Sequence, residues 1–154
     1  MTAADSILHC RWIAPVEPAD TILDHHSVGV HEGRILDLLP TDKARSRYSA
    51  DIEHELDGHL LIPGLINAHT HAAMSLLRGL ADDLPLLEWL NEHIWPAENR
   101  WVHEEFVVDG TRLAVAEMLR SGTTCFNDMY FFPDVTARVA AHSGIRACVG
   151  LIVI

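Results

Sequence analysis

The sequence has few of the features that mark membrane-spanning or secreted proteins. Its longest apolar runs, Leu60–Ile66 and Val149–Ile154, are far shorter than the ~20 residues that a membrane-spanning helix needs. Met1–Leu8 contains Asp5 and neither lysine nor arginine, which argues against a secretory signal peptide. The three cysteines are far apart and form no C-x-x-C pair, so we expect no disulfide framework and a cytoplasmic location.

Positive charge is also scarce. Eleven lysines and arginines face 22 aspartates and glutamates, which gives a net charge of -11, and Lys43 is the one lysine. Because a surface of this sign repels phosphate groups, we expect neither nucleic-acid nor membrane binding. With 154 residues, 49% of them hydrophobic and 21% charged, the chain has the composition of a folded globular protein of one domain or slightly more.

The first 59 residues have the pattern of short strands joined by turns. The predicted elements are a strand over Ser6–Ala14, a hairpin of Ser27–His31 and Arg34–Leu39 that turns at Gly33, a helix over Thr41–Tyr48, and an edge strand over Asp51–Leu56. Thr41 is the expected N-cap of the helix. These strands are too small to bury a core alone, and we expect a partner sheet from elsewhere.

From residue 60 the pattern changes to apolar strands that alternate with helices. The predicted elements are a strand over Leu60–Ile66 buried on both faces, helical pieces within Ala72–Trp101, a helix over Glu104–Ser121, a strand over Thr123–Tyr130, a helix over Pro133–Ser143 and a strand over Ile145–Ile154. Such alternation predicts an α/β fold with a parallel sheet. Because the series stops within a buried strand, we expect this chain to be the N-terminal part of a larger protein.

The sharpest chemical feature is His69-Thr70-His71, which follows the first apolar strand. Residues i and i+2 of a strand share a face, so the two imidazoles converge. Two neutral imidazoles at the carboxyl end of a buried strand are half of a site for zinc or a similar ion. The alternative is a pair of histidines with ordinary structural roles. Asp128 ends the next strand, where it either orients the metal site or caps the following turn.

The motifs around these histidines carry a family resemblance. Pro63–His71 resembles the first barrel strand of the amidohydrolase superfamily. Further segments resemble its branch of 5′-methylthioadenosine/S-adenosylhomocysteine deaminases, namely Met74–Gly79, Asp82-Asp83, Leu87–Leu90, Ile94–Glu98, Gly122–Thr124 and Asn127–Tyr130.

The resemblance implies the N-terminal portion of a (β/α)8 TIM barrel preceded by half of a small β-sandwich. Residues 1–59 would form the sandwich segment and residues 60–154 the first strands and helices of the barrel. His69 and His71 would bind one catalytic divalent metal, usually zinc, although Fe²⁺ or Mn²⁺ can occupy similar sites. The remaining ligands and the glutamate that acts as general acid/base would lie beyond Ile154, and the whole protein would be a homo-oligomer.

The implied activity is metal-dependent hydrolytic deamination of an adenosine-type nucleoside to its inosine analogue and ammonia. By the resemblance, Glu98 would accept hydrogen bonds from the ribose hydroxyls, although a glutamate just after Pro96 also suits a first helical turn. Trp89 would contact the substrate, although tryptophans in such segments more often pack between helices. The alternatives are a sister amidohydrolase acting on guanine, cytosine or an s-triazine, and a catalytically inactive barrel used for binding.

Overall fold

A computed structural model describes residues 1–152 of the chain. The contacts among Cα atoms divide the chain into two compact units, Met1–Pro63 and Gly64–Ile154. Within the described residues, no helix combines the length and the apolar character that a membrane span requires.

The first unit is built on a four-stranded sheet. In chain order its strands are β1 (Thr2–Ile13), β2 (Leu23–His31), β3 (Arg34–Pro40) and β4 (Tyr48–Leu61). Their spatial order is β3-β2-β1-β4, with β1 antiparallel to β2 and parallel to β4. The predicted edge strand is therefore confirmed, and it is longer than the sequence pattern indicated.

The turn between β2 and β3 has the predicted position and chemistry. Glu32 and Gly33 connect the two strands, and both have a positive φ, 48° and 70° respectively. A two-residue loop with positive φ at both positions matches the right-handed twist of the strands that it joins. Gly33 takes this conformation without a steric cost because it has no Cβ.

Helix α1 (Thr41–Arg47) forms where it was predicted, but Thr41 is not its N-cap. Pro40, with a φ of -48° and a ψ of 138°, holds that position and makes no side-chain cap. The reason is that β3 stays extended through Pro40, so Thr41 is already helical. The Thr41 hydroxyl instead accepts a hydrogen bond from the Ser27 hydroxyl at 3.0 Å.

The second unit contains a parallel three-stranded sheet, as the alternating pattern predicted. Its strands are β5 (Leu65–Thr70), β6 (Thr123–Met129) and β7 (Arg146–Gly150), in the order β5-β6-β7. Both pairings are parallel. Parallel neighbours place their carboxyl ends at the same edge of the sheet, so the residues that follow β5 and β6 lie near each other.

The first strand of this unit begins later than predicted. Leu60–Leu61 closes β4, and β5 starts only at Leu65, because Pro63 cannot donate to a ladder and interrupts the apolar run. Leu65–Ile66 is also 50% and 71% exposed. The predicted strand over Leu60–Ile66, buried on both faces, is therefore wrong for the described part of the chain.

A long helical segment follows β5. It contains a 3-10 turn over Ala72–Leu77, helix α2 (Leu86–Trp89), a π-helical turn over Leu90–Ile94 and helix α3 (Trp95–Trp101). The predicted helical pieces within Ala72–Trp101 are thus confirmed. Pro96 follows the π-helical turn directly, and Ile94 and Trp95 already have helical dihedral angles. Proline at this point removes one hydrogen bond between successive helical turns.

The remaining elements follow the prediction closely. Helix α4 (Glu104–Arg120) and helix α5 (Pro133–Ser143) connect the parallel strands. Gly144 ends α5 with a φ of 72°, the left-handed conformation that favours glycine at this position. The final predicted strand is observed over Arg146–Gly150, and its predicted last residues, 153 and 154, lie outside the described residues.

Gly110 shows how closely α4 packs on the 3-10 turn that follows the histidine motif. A Cβ at this position would lie 2.4 Å from the carbonyl oxygen of Ala73 and 2.8 Å from its Cα. Ala73 is fully buried, in a cluster with Val107, Tyr130 and Val135. Glycine therefore allows a backbone approach that anchors the turn.

Candidate metal and nucleoside site

His69 and His71 come together at the carboxyl end of β5. Their ring centroids are 4.9 Å apart, and the rings are nearly perpendicular at 80°. Thr70, between them, donates its hydroxyl hydrogen toward Asp128 Oδ1 at 2.8 Å and lies 3.0 Å from the Asn127 carbonyl oxygen. The alternation of side chains along β5 thus gives the histidines one face and the threonine another, as predicted.

The tautomer of His71 follows from its hydrogen bond. Its Nδ1 lies 2.6 Å from the carbonyl oxygen of Met129. Because a carbonyl oxygen only accepts, Nδ1 carries the proton of the neutral ring. The lone pair of Nε2 is then available for a metal ion, and the bond to the backbone fixes the ring in the manner common for metal-binding histidines.

Asp128 holds the chain on both sides of His71. The residue is 2% exposed, and its Oδ1 accepts hydrogen bonds from the Thr70 hydroxyl at 2.8 Å and from the Ala72 N–H at 2.7 Å. The second bond satisfies a buried amide at the start of the 3-10 turn. The recorded hydrogen bonds of the Asp128 side chain thus go to the histidine segment, which they orient.

The residues present fit a divalent metal ion. A tetrahedral zinc ion bound at about 2.0–2.1 Å by one nitrogen from each ring would place the ring centres roughly 5 Å apart, as they are here. Within residues 1–152 this end of β5 supplies two imidazoles and no third convergent ligand; the one group of three that meets the metal-site geometry is His9, Glu53 and Glu55 in the first unit.

A cleft of ≈ 430 Å³ joins His71 to both residues predicted to bind substrate. Trp89 and Glu98 line it together with His71, and the indole N–H of Trp89 donates to the Leu80 carbonyl oxygen at 3.0 Å. The other lining residues are mostly apolar: Met74, Leu86, Leu90, Ile94, Trp95, Met129, Tyr130, Phe131 and Ile152. Glu98 also faces a second hollow, shared with Trp95 and Phe131.

Tyr130 was not singled out by the sequence, and it contacts Glu98 directly. Its hydroxyl donates to Glu98 Oε1 at 2.7 Å, and the residue is 4% exposed. Burial, reinforced by the hydrogen bond to Glu98, raises the pKa of Tyr130 well above its ordinary value. The available signals were its place in the motif Asn127–Tyr130 and its position directly after β6, at the same sheet edge as the histidines.

Three other histidines make hydrogen bonds away from this site. His103 accepts a hydrogen bond from the Phe106 N–H at 3.3 Å and is the N-cap of α4, and His142 bonds to the carbonyl of Arg138. His9 is buried, and its Nδ1 lies 2.7 Å from the Ser27 hydroxyl. That His9 lies beside two carboxylates, Glu53 and Glu55, was not predicted.

The chain is similar to several known proteins. Residues 60–154 match the model of the Amidohydrolase family. A Saccharophagus degradans protein named 5-methylthioadenosine/S-adenosylhomocysteine deaminase is 54% identical over 146 residues, which are 95% of this chain and 33% of that protein. A 5′-deoxyadenosine deaminase of Methanosarcina mazei is 44% identical, over 94% of this chain and 32% of its own length.

The solved structures include a close relative. An adenosine deaminase from Xanthomonas campestris, crystallised with bound zinc, superposes with a TM-score of 0.92 at 49% identity, over 94% of this chain and 33% of that one. The chain spans about a third of the length of these relatives. The resemblance stated from the motifs is confirmed, and the chain belongs to the amidohydrolase family.

Proposed function

We propose that the whole protein hydrolyses the bond between C6 and the amino nitrogen of an adenosine-type nucleoside, such as 5′-methylthioadenosine or S-adenosylhomocysteine. Water supplies the oxygen, and the products are the inosine analogue and ammonia. The observation that carries the proposal is the cleft that His71 shares with Glu98 and Trp89. Relatives named for deamination of such nucleosides support it.

His69 and His71 would hold the metal ion. The proton on Nδ1 of His71, directed to the Met129 carbonyl, leaves Nε2 as its ligand atom. When bound, zinc supplies a water acidic enough to ionise near neutral pH; Fe²⁺ or Mn²⁺ can occupy such donor sets. A relative crystallised with zinc supports the choice of metal.

Glu98 would bind the ribose. Its Oε1 accepts the Tyr130 hydroxyl hydrogen, while the second oxygen and the free lone pairs can accept the hydrogens of vicinal hydroxyls. Trp89 would contribute an apolar wall for the base or for the 5′ substituent. The indole is held by its bond to Leu80, so the wall would be preformed.

The wider architecture is part of the same proposal. We propose that residues 60–154 begin a (β/α)8 barrel, which typically needs ~250 residues, and that residues 1–59 contribute half of a β-sandwich. The general acid/base glutamate beyond Ile154, the homo-oligomer and the cytoplasmic location stay predictions.

The ligand assignment is tested by His69→Ala in the full-length protein. We expect zinc content to fall below one ion per chain and ammonia release from methylthioadenosine to fall to background. His54→Ala is the matched control, because His54 lies exposed on β4 in the first unit. Wild-type turnover by His69→Ala would contradict the assignment of His69 as a ligand.

The substrate class is tested by Glu98→Gln. Because a hydrogen bond to a charged group contributes about 1.5–3 kcal/mol, kcat/KM for a ribonucleoside should fall at least tenfold. A free base such as guanine has no ribose for Glu98 to contact. If Glu98→Gln leaves kcat/KM on the enzyme's best substrate unchanged, the result would favour a sister amidohydrolase that acts on a free base.

A further inference from the structure

We propose that Tyr130 is a positioning residue that holds Glu98 for the ribose and thereby sets the preference for substrates with vicinal hydroxyls. This inference rests on the proposed function and adds a residue to it. It stands on one contact between distant parts of the chain: the Tyr130 hydroxyl, after β6, donates to Glu98 Oε1, in α3, at 2.7 Å.

Tyr130 is itself held firmly. Its ring is buried in the cluster with Ala73, Val107 and Val135, and it meets the Phe131 ring edge-on at a centroid distance of 5.2 Å. The ring also lies 6.3 Å from that of His71. Tyr130 thus ties the ribose-binding carboxylate to the same rigid sheet edge that carries the metal ligands.

Glu98 needs such a partner. It is half-buried on a helix of seven residues, and none of the ion pairs within residues 1–152 includes it. A free glutamate side chain has several rotamers, and fixing it on substrate binding would cost conformational entropy. The bond from Tyr130 fixes the carboxylate before the substrate arrives, which lowers the cost of binding.

The direction of this hydrogen bond leaves Glu98 with free acceptors. A tyrosine hydroxyl keeps its hydrogen at neutral pH, so Tyr130 donates to Oε1. The Oε2 atom and the unused lone pairs are left as acceptors, and two vicinal hydroxyls are donors that match them.

Tyr130→Phe in the zinc-loaded full-length protein tests the inference. The change keeps the ring and removes only the hydroxyl. We expect kcat/KM for methylthioadenosine to fall about tenfold, mostly through KM, while kcat/KM for its 2′,3′-dideoxy analogue stays within about twofold. Tyr48→Phe is the matched control, since Tyr48 donates a similar bond to Asp37 in the first unit and should leave both values unchanged.

Two further measurements separate positioning from a general packing role. In a Glu98→Gln background, Tyr130→Phe should cost clearly less than it does alone, because the two residues act through one contact. Calorimetry on the metal-free protein should show that Tyr130→Phe weakens binding of 5′-methylthioinosine but not of its dideoxy analogue.

The outcomes distinguish this inference from the proposed function. If the wild type prefers the ribose substrate and Tyr130→Phe keeps that preference, the positioning role is overturned while the role of Glu98 stands. Equal losses on both substrates also overturn it, because they indicate a packing defect. If the wild type itself does not distinguish the two substrates, the ribose contact of Glu98 fails, and the inference fails with it.

Discussion

Gly110→Ala should destabilise the protein although alanine is the better helix former. The new Cβ would lie 2.4 Å from the Ala73 carbonyl oxygen and 2.8 Å from the Ala73 Cα, whereas an ordinary contact begins at 3.4 Å. The two backbones must therefore separate by about 1 Å, the difference between 3.4 and 2.4. A side-chain rotation cannot relieve the collision, because the obstructing atoms are backbone.

The expected magnitude follows from two opposing terms. Overpacking a core position costs about 1–3 kcal/mol, and a backbone collision belongs at the upper end. Replacing glycine by alanine within a helix gains about 0.8–1.0 kcal/mol. The net loss for Gly110→Ala is then roughly 2 kcal/mol, or about a thirtyfold change in the folding equilibrium.

Urea unfolding of the full-length protein measures this loss of stability. Because Ala73 lies two residues from His71, zinc affinity shows whether the displacement extends to the histidines. Gly58→Ala is the matched control: its Cβ meets nothing within 4 Å, so its stability should stay equal or rise slightly. Wild-type stability of Gly110→Ala would refute the tight packing of α4 against the turn.

Two further predictions concern the surroundings of the site. Asp128→Ala removes the acceptor for the Thr70 hydroxyl and the buried Ala72 N–H. Zinc affinity, measured by chelator competition, should therefore fall about 10–100-fold. Asp128→Asn keeps one acceptor oxygen, so its zinc affinity should fall less. The pKa of Tyr130 is raised in the folded protein. Above pH ~10 the unfolded chain therefore releases this proton first, and the free energy of unfolding falls with rising pH. Tyr130→Phe should make this pH dependence shallower, and an unchanged pH dependence would contradict the burial of the hydroxyl.

The elements that the sequence predicted best are those with backbone constraints at their ends. Pro133 and Gly144 bracket α5, and the helix was predicted with its observed bounds. Proline fixes φ at a helix start, and glycine adopts the left-handed conformation at its end. Both effects depend only on neighbouring residues, so the bounds of α5 can be predicted from the local sequence.

The start of β5 could not be predicted in the same way. The apolar run Leu60–Ile66 belongs to two strands in two units, with Pro63 between them. Hydrophobicity alone does not separate one long strand from the end of one and the start of another. The family motif, which begins at Pro63, was the better guide to the break.

The candidate site was predictable in part. The i, i+2 spacing of His69 and His71 was sufficient to place both imidazoles on one face of β5, and the structure brings their rings together. The bond between Tyr130 and Glu98 spans 32 positions of sequence and depends on how the turn and helices after β5 return to the sheet. No local pattern carries that information.

The proposed function requires that His69 and His71 hold the catalytic metal beside a ribose-binding carboxylate. An anomalous difference map of zinc-loaded crystals of the full-length protein, grown with 5′-methylthioinosine, tests this requirement. We expect a zinc peak about 2.0–2.1 Å from Nε2 of His71 and from one ring nitrogen of His69, with the ribose hydroxyls on Glu98. A peak at Nδ1 of His71, or zinc bound only by His9, Glu53 and Glu55, would contradict it.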